Sequence, residues 1–395
     1  MNLVFVTGFT PAVENIRGVS AHPYFLLKHR PDDVNVLMLT YNINKMPLEY
    51  IEDLKNDLNL EIKLISLPTY IHFLTNKFVI PFLKRPEFSY IRPSKEVISL
   101  ISEFQPNAIW TYPNFFFKWS YYFPNINFVH SSPDSNVLGC VRRFEDSINR
   151  DNCLLSIYRR LQYQKAINNE RLSAANNSLI HLVGMDDLRM FRRTSKSNNS
   201  FFILHPHYLL MDKNITFGHE KLNVVIAGKY DEYMKSGVDD FVEVLKSNTL
   251  CSMLSITFLG RNWDYIVTNL KEAGYDCKQV KWVDNYIEEL VKYDIQLTPI
   301  TIGTGTKGKV LDAIGNGLLC IGTPYALENI AVRNMDSCIM YKDAHELVGI
   351  FTSIYYHRSK YEAIAMKGMA QIRMYHNPSR ISHRFFNIIK NYYEG

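Results

Sequence analysis

The stretch from Ile295 to Ile330, IQLTPITIGTGTKGKVLDAIGNGLLCIGTPYALENI, contains the residue types needed to hold a polyanion. An apolar run closes at Pro299, then come Gly303, Gly305 and Gly308; helical spacing begins near Lys307 to Lys309 and ends at Gly315 or Gly317. Glycine lets backbone N–H groups approach an anion, and a helix N-terminus adds unpaired donors with partial positive charge. Lys307 and Lys309 bring mobile ammonium groups. Together these parts make a cradle for a diphosphate. They do not make a P-loop, because GTGTKGK lacks the four-residue gap and the GK[ST] ending. The same composition also suits a plain strand-to-helix turn, and local physics leaves that alternative open.

A second constellation, FVHSSPDSN from Phe128 to Asn136, sets His130 and Asp134 where a strand gives way to a loop. Either group could take a proton from a hydroxyl. Asp134 after Pro133 equally suits a turn cap, and His130 a packed polar residue. The loop from Gly8 to Tyr24 offers Glu14, Arg17 and His22 to an acceptor or a donor phosphate, or simply to water. The six cysteines are scattered without a CxxC pair, against both a zinc site and a disulfide scaffold. The acid pairs Asp32-Asp33, Asp186-Asp187 and Asp239-Asp240 are adjacent rather than spaced as DxD.

Positioning such groups requires a rigid frame, and the hydrophobic pattern supplies one. Strands are expected at Leu3 to Thr7, Val34 to Thr40, Glu61 to Ser66, Ala108 to Thr111 and Asn127 to His130, with helices between them. After a polar stretch, Thr194 to Ser200, the cycle restarts with strands at Val224 to Ala227, Ile256 to Leu259, Gln279 to Val283, Ile295 to Thr298, Leu319 to Ile321 and Ile339 to Tyr341. Strand-helix alternation implies parallel sheets covered on both faces. The expected fold class is α/β with two Rossmann-like domains, residues 1–210 and 211–375, and linker segments around Asn198 to Ser200 and Lys213 to His219. Ligands in such folds bind at the carboxyl ends of the strands, here in a cleft between the domains.

The 395 residues exceed what one core usually organises, which agrees with two domains. Lys and Arg exceed Asp and Glu by 5, too mild an excess for a nucleic-acid binder. Up to residue 217 there are 24 basic against 19 acidic residues, so the first half carries the whole surplus. Gly139 to Lys196 alone has 11 bases and 6 acids. Tyr70 to Lys95 mixes five bases and one acid with many aromatics, and Asn114 to Phe123 holds seven aromatics in ten residues. Aromatics among lysines and arginines suit a membrane interface, though they also suit ordinary packing. With no run of about 18 apolar residues and no leader pattern at MNLVFVTGF, the expectation is a cytoplasmic protein, peripheral at most to the inner membrane face.

The string PITIGTGTKGKVLDAIGNGLLCIGTPYALENI resembles the donor-binding motif of two-domain GT-B glycosyltransferases, particularly bacterial group 1 (family 4-like) enzymes. Gly228-Lys229 with Lys235-Ser236-Gly237-Val238 resembles that family's basic loop, and FLGRNW the strand that follows it. The resemblance implies that Lys229, Lys235, Gly303, Thr304, Gly305, Thr306 and Lys307 face a nucleotide diphosphate and that Glu328 accepts hydrogen bonds from the ribose. Val129 to Asp134 is similar to the strand end that carries the proposed catalytic Asp of xanthan-type glucuronosyltransferases, which makes Asp134, with His130 and His22, the catalytic candidates. Three positions depart from the pattern. Thr304 and Asp312 stand where many retaining members have two glutamates, leaving the stereochemical outcome open, and Lys229 replaces an Arg, keeping charge but losing the bidentate fork.

The resemblance also implies that a closing segment, residues 376–395, crosses back as a helix onto the first domain. The expected activity is sugar transfer from a UDP- or GDP-type donor to an oligosaccharide or lipid-linked acceptor in cell-surface polysaccharide synthesis, with no cofactor, no metal and no nucleic acid. A nucleotide-sugar epimerase of the same fold and a non-catalytic nucleotide-sugar-binding subunit are the alternatives.

Overall fold

The computed structural model describes residues 1–12, 20–149, 153–175, 177–208 and 210–394. Glu14 and Arg17 lie outside the described residues. The chain forms two compact units, Met1–Pro206 with Pro378–Gly395, and His207–Asn377.

The first unit is built on β1 (Asn2–Thr7), β2 (Asn35–Thr40), β3 (Glu61–Leu64), β4 (Ala108–Tyr112), β5 (Asn127–Ser132), β6 (Ser178–Leu182) and β7 (Ser200–Phe202). These make a parallel sheet in the order β3-β2-β1-β4-β5-β6-β7. The second unit holds β8 (Leu222–Ala227), β9 (Leu254–Leu259), β10 (Asp276–Val280), β11 (Ile295–Thr298), β12 (Leu319–Gly322) and β13 (Ile339–Met340). Its sheet is also parallel, in the order β10-β9-β8-β11-β12-β13. Central strands such as LVFV of β1 and VVIA of β8 are apolar at every position because helices cover both faces. In both units the order reverses at the first strand, leaving the loops after β1 and β4, and after β8 and β11, side by side at the carboxyl edge.

The strand β6, SLIHL, and the short edge strand β7, SFF, escape the apolar-run pattern because His181 interrupts one and the other spans three residues. Ser200 therefore opens an edge strand and is not a linker. The segment 213–219 is no free spacer either. Phe217 is buried, its N–H donates to Glu362 at 2.7 Å, and the Lys213 ammonium lies 3.8 Å from Asp294, all within the second unit.

For part of the aromatic run from Asn114 the structure selects ordinary packing. Phe116, Phe117 and Trp119 are buried in the first unit, and Trp119 donates to the Ile91 carbonyl at 3.0 Å, whereas Tyr121 and Tyr122 are exposed. The final helix, Pro378–Glu394, belongs to the first unit. Ile381, Phe385, Phe386 and Ile389 are buried, the Phe385 ring lies 5.0 Å from that of Trp110, and Ser382 donates to Leu26 O at 2.7 Å.

Candidate functional site

In the second unit the sequence from β11 runs through a loop into the helix Gly308–Gly315, with Lys307 at its N-cap. Gly303 (φ 151°) and Gly305 (φ 63°) take backbone conformations that side chains disfavour, which lets the loop fold over on itself. The Lys307 ammonium donates to the carbonyls of Thr304 at 3.0 Å and Gly305 at 2.9 Å and lies 3.8 Å from a Glu328 carboxylate oxygen. Both side chains are about nine-tenths enclosed. One lysine thus ties together the loop, the helix start and the segment closing at Glu328. The buried Thr306 hydroxyl has no hydrogen-bond partner among the described residues.

Beside this loop stands the turn after β8. Gly228 (φ 125°) donates its N–H to Leu259 O at 2.8 Å, and Trp263 Nε1 donates to Gly228 O at 2.8 Å. A methyl group on Gly237 would meet Pro299 O at 2.3 Å, so the helix Lys235–Lys246 abuts the end of β11 only because position 237 is glycine. Lys229 is exposed. Lys235 is half-exposed and bonded to Asp239 Oδ2 at 2.7 Å and to the Tyr230 hydroxyl at 3.1 Å; the bond to Asp239 is the main reason its pKa is raised. The structure therefore brings the glycine loop, Lys307 and Glu328 into direct contact, while Lys229 and Lys235 occupy the neighbouring turn and helix start.

Lys309, two residues after Lys307, plays a different part. Its ammonium donates to Ala227 O at 2.9 Å and sits 3.1 Å from Met234 Sδ, beneath Gly228. Burial is the main cause that brings its pKa down to about 8. It fastens the Gly308–Gly315 helix to the end of β8. Asp312 accepts from His207 Nε2 at 3.1 Å. His207 opens the second unit and fills space against Gly315, where a methyl group would meet its ring at 2.5 Å. No local signal marks this pair, since 105 residues separate its members.

In the first unit, His130 is not in a loop: it lies within β5, fully buried, with Nδ1 bonded to Thr111 Oγ1 at 2.7 Å and its ring packed against Phe117 and Phe128. Burial pushes its pKa down to about 3, so it stays neutral, and its enclosure removes it from contact with an acceptor. This corrects the expectation that His130 stands where the strand gives way to a loop. His22 is also buried, in the helix Ala21–Lys28, with its ring 5.4 Å from His181, 5.2 Å from His205 and 5.7 Å from Tyr112. Burial first, then His205 and His181, holds it well below the ordinary histidine range. Neither ring nitrogen has a hydrogen-bond partner among the described residues.

Asp134 is partly exposed on the turn between β5 and the helix Asn136–Asn149. Buried groups grip that turn on both sides. Ser132 Oγ donates to Asp134 O at 2.6 Å, and Ser135 N donates to Asp187 Oδ1 at 2.9 Å. Glu170 Oε1 accepts from Ser135 Oγ at 2.8 Å and from Val137 N at 3.1 Å, while its Oε2 accepts from Thr194 Oγ1 at 2.8 Å. Glu170 and Asp187, at 1% and 0% exposure, thus cap the helix and hold the Asp134 backbone.

Burial outweighs those bonds and pushes the Glu170 carboxyl up to about 7. The folded chain then keeps the proton at pH values where the unfolded chain has lost it, so stability falls as pH rises from about 4.3 toward about 7 and levels off above. Replacing Glu170 with Gln removes this slope, which urea midpoints measured across that interval will show as a flatter profile; an unchanged slope would assign it to other groups.

No family model matches the sequence, and no curated protein matches it. Solved structures do match over the whole length. HepE from Anabaena in complex with UDP superposes with a TM-score of 0.68 at 10% identity, covering 99% of this chain and 100% of that one. Sucrose-phosphate synthase from Thermosynechococcus elongatus gives 0.68 at 12% identity, covering 100% and 99%. The lipopolysaccharide outer core galactosyltransferase WaaB in its apo form gives 0.62 at 10% identity, covering 100% and 99%. The two-sheet α/β architecture is therefore the GT-B fold.

Proposed function

We propose that this chain is a glycosyltransferase that moves a sugar from a nucleotide-diphosphate donor to a hydroxyl of an oligosaccharide or lipid-linked acceptor in cell-surface polysaccharide synthesis at the cytoplasmic membrane face. The observation that carries the reading is the contact set of the glycine loop, Lys307 and Glu328 at the N-terminus of the Gly308–Gly315 helix. The similar structures of HepE with UDP and of HepE with UDP-glucose support a uridine donor.

In this reading Lys307, the loop N–H groups around Gly303 to Thr306, and Lys229 and Lys235 neutralise the diphosphate, so that it leaves without a metal. Glu328 receives hydrogen bonds from the ribose hydroxyls. The acceptor oxygen bonds to the anomeric carbon as the bond from that carbon to the diphosphate oxygen breaks, and the diphosphate departs with the electron pair. In an inverting transfer Asp134 takes the acceptor proton. Of the three catalytic candidates it alone is partly exposed, since His130 and His22 are enclosed.

Calorimetric titration with UDP, GDP, dTDP and ADP, followed by turnover assays with the matching labelled sugar nucleotides and membrane glycolipid extracts, tests the proposal. Asp134→Asn should keep nucleotide affinity and lower transfer at least about a hundredfold. Full transfer by that variant removes Asp134 from the role of base. Absence of binding to all four nucleotides overturns the whole reading, and conversion of a sugar nucleotide without acceptor favours an epimerase.

A further inference from the structure

The helix Cys153–Glu170 presents Leu154, Ile157, Tyr158, Leu161, Lys165 and Asn168 at spacings of three and four residues, which places them along one face. Toward the end of that face another segment of the first unit lies across it. Lys165 Nζ donates to Ile80 O at 2.5 Å, and Asn168 Nδ2 donates to Lys84 O at 3.0 Å. Over the first half the face is bare: Leu154 is 82% exposed and Ile157, Tyr158 and Leu161 more than half exposed. The overlying segment adds Phe78 and Phe82, each 85% exposed. Two stretches about 75 residues apart in sequence thus pool their large apolar side chains on one side of the first unit, where a water-soluble surface would scatter or bury them.

Basic residues outnumber acidic ones around this patch. From Cys153 to Asn169 there are three basic residues and no acidic one, and Tyr70 to Lys95 has five bases to one acid. We propose that this face seats the first unit on an anionic phospholipid surface, with the apolar stripe and the two phenylalanines entering the headgroup boundary and Arg160, Lys77 and Lys84 meeting lipid phosphates. A second copy of the chain is a poor occupant, because a two-fold contact would set the basic flanks against each other. The proposal rests on the membrane-face part of the proposed function, to which it gives a surface and a lipid chemistry, and is tested without any nucleotide.

Co-sedimentation of the full chain with vesicles of phosphatidylcholine, and of phosphatidylcholine mixed with phosphatidylglycerol, is the experiment. Binding is expected to the mixed vesicles only and to weaken with added salt. The pairs Phe78→Ser/Phe82→Ser and Leu154→Ser/Leu161→Ser should each lower partition more than about tenfold. Arg160→Gln and Lys77→Gln should each cost about fivefold. All six side chains are exposed, so thermal melting and UDP affinity should match the parent, separating failure here from failure of the donor reading. The proposal is overturned if the mixed vesicles do not sediment the chain, if the serine pairs leave partition unchanged, or if the chain is a dimer that Leu154→Ser/Leu161→Ser dissociates.

Discussion

Replacing Lys307 with Met should lower donor affinity and transfer together, with the transfer rate falling on the order of a hundredfold or more. The stem of the side chain survives in Met, so the loss reports the ammonium. That ammonium holds the Thr304 and Gly305 carbonyls and lies 3.8 Å from Glu328, and its removal leaves a nearly enclosed carboxylate without this cation. Leaving a charge in such a place costs more than the pair itself contributes. Lys235→Ala offers the contrast. Lys235 is exposed and already bonded to Asp239 and Tyr230, so its loss should cost about tenfold or less. Calorimetry with UDP and steady-state rates for both variants check the order. Equal effects at the two positions would show that bulk positive charge, not the Lys307 contact set, holds the donor.

Gly260→Ala should be the most damaging small substitution in the second unit. The residue has φ 138°, and a methyl group there would stand 2.0 Å from Gly228 O. The obstacle is backbone, and it belongs to the turn that carries Lys229, so the clash cannot be relieved by a rotating side chain. Strain and overpacking together should cost about 2–5 kcal/mol of stability, and the displaced turn should weaken nucleotide binding. Gly274→Ala isolates the conformational part: its φ is 85°, but nothing lies within 4 Å of an added methyl group. That variant should lose about 1 kcal/mol and keep its nucleotide affinity. Denaturant midpoints for the two proteins measure the difference, and equal losses would refute the close approach of the two turns as its cause.

The parts of the candidate site that were legible in the sequence are those made by neighbours in the chain. The strand, glycine loop and helix from Ile295 to Gly315 are contiguous, so residue type, spacing and the dihedral freedom of glycine specify that strand-turn-helix locally. The alternation of apolar runs with amphipathic segments likewise specifies two parallel α/β sheets, because a strand covered on both faces must be apolar throughout.

What only the tertiary structure decided rests on contacts between distant residues. His130 and Asp134 stand four positions apart in one motif, yet the β5 register buries the first between aromatic rings and leaves the second on a turn. Lys307 and Lys309 are alike in sequence, but helix geometry aims one at the loop carbonyls and drives the other under Gly228. The Asp134 turn is held by Glu170 and Asp187, 35 and 52 residues beyond Ser135, and Asp312 is held by His207 across 105 residues. A buried carboxylate needs donors, and which donors reach it depends on how the helices lie against the sheet. The bare apolar face is of the same kind, since a side chain shows itself to be exposed only after every other element has taken its place.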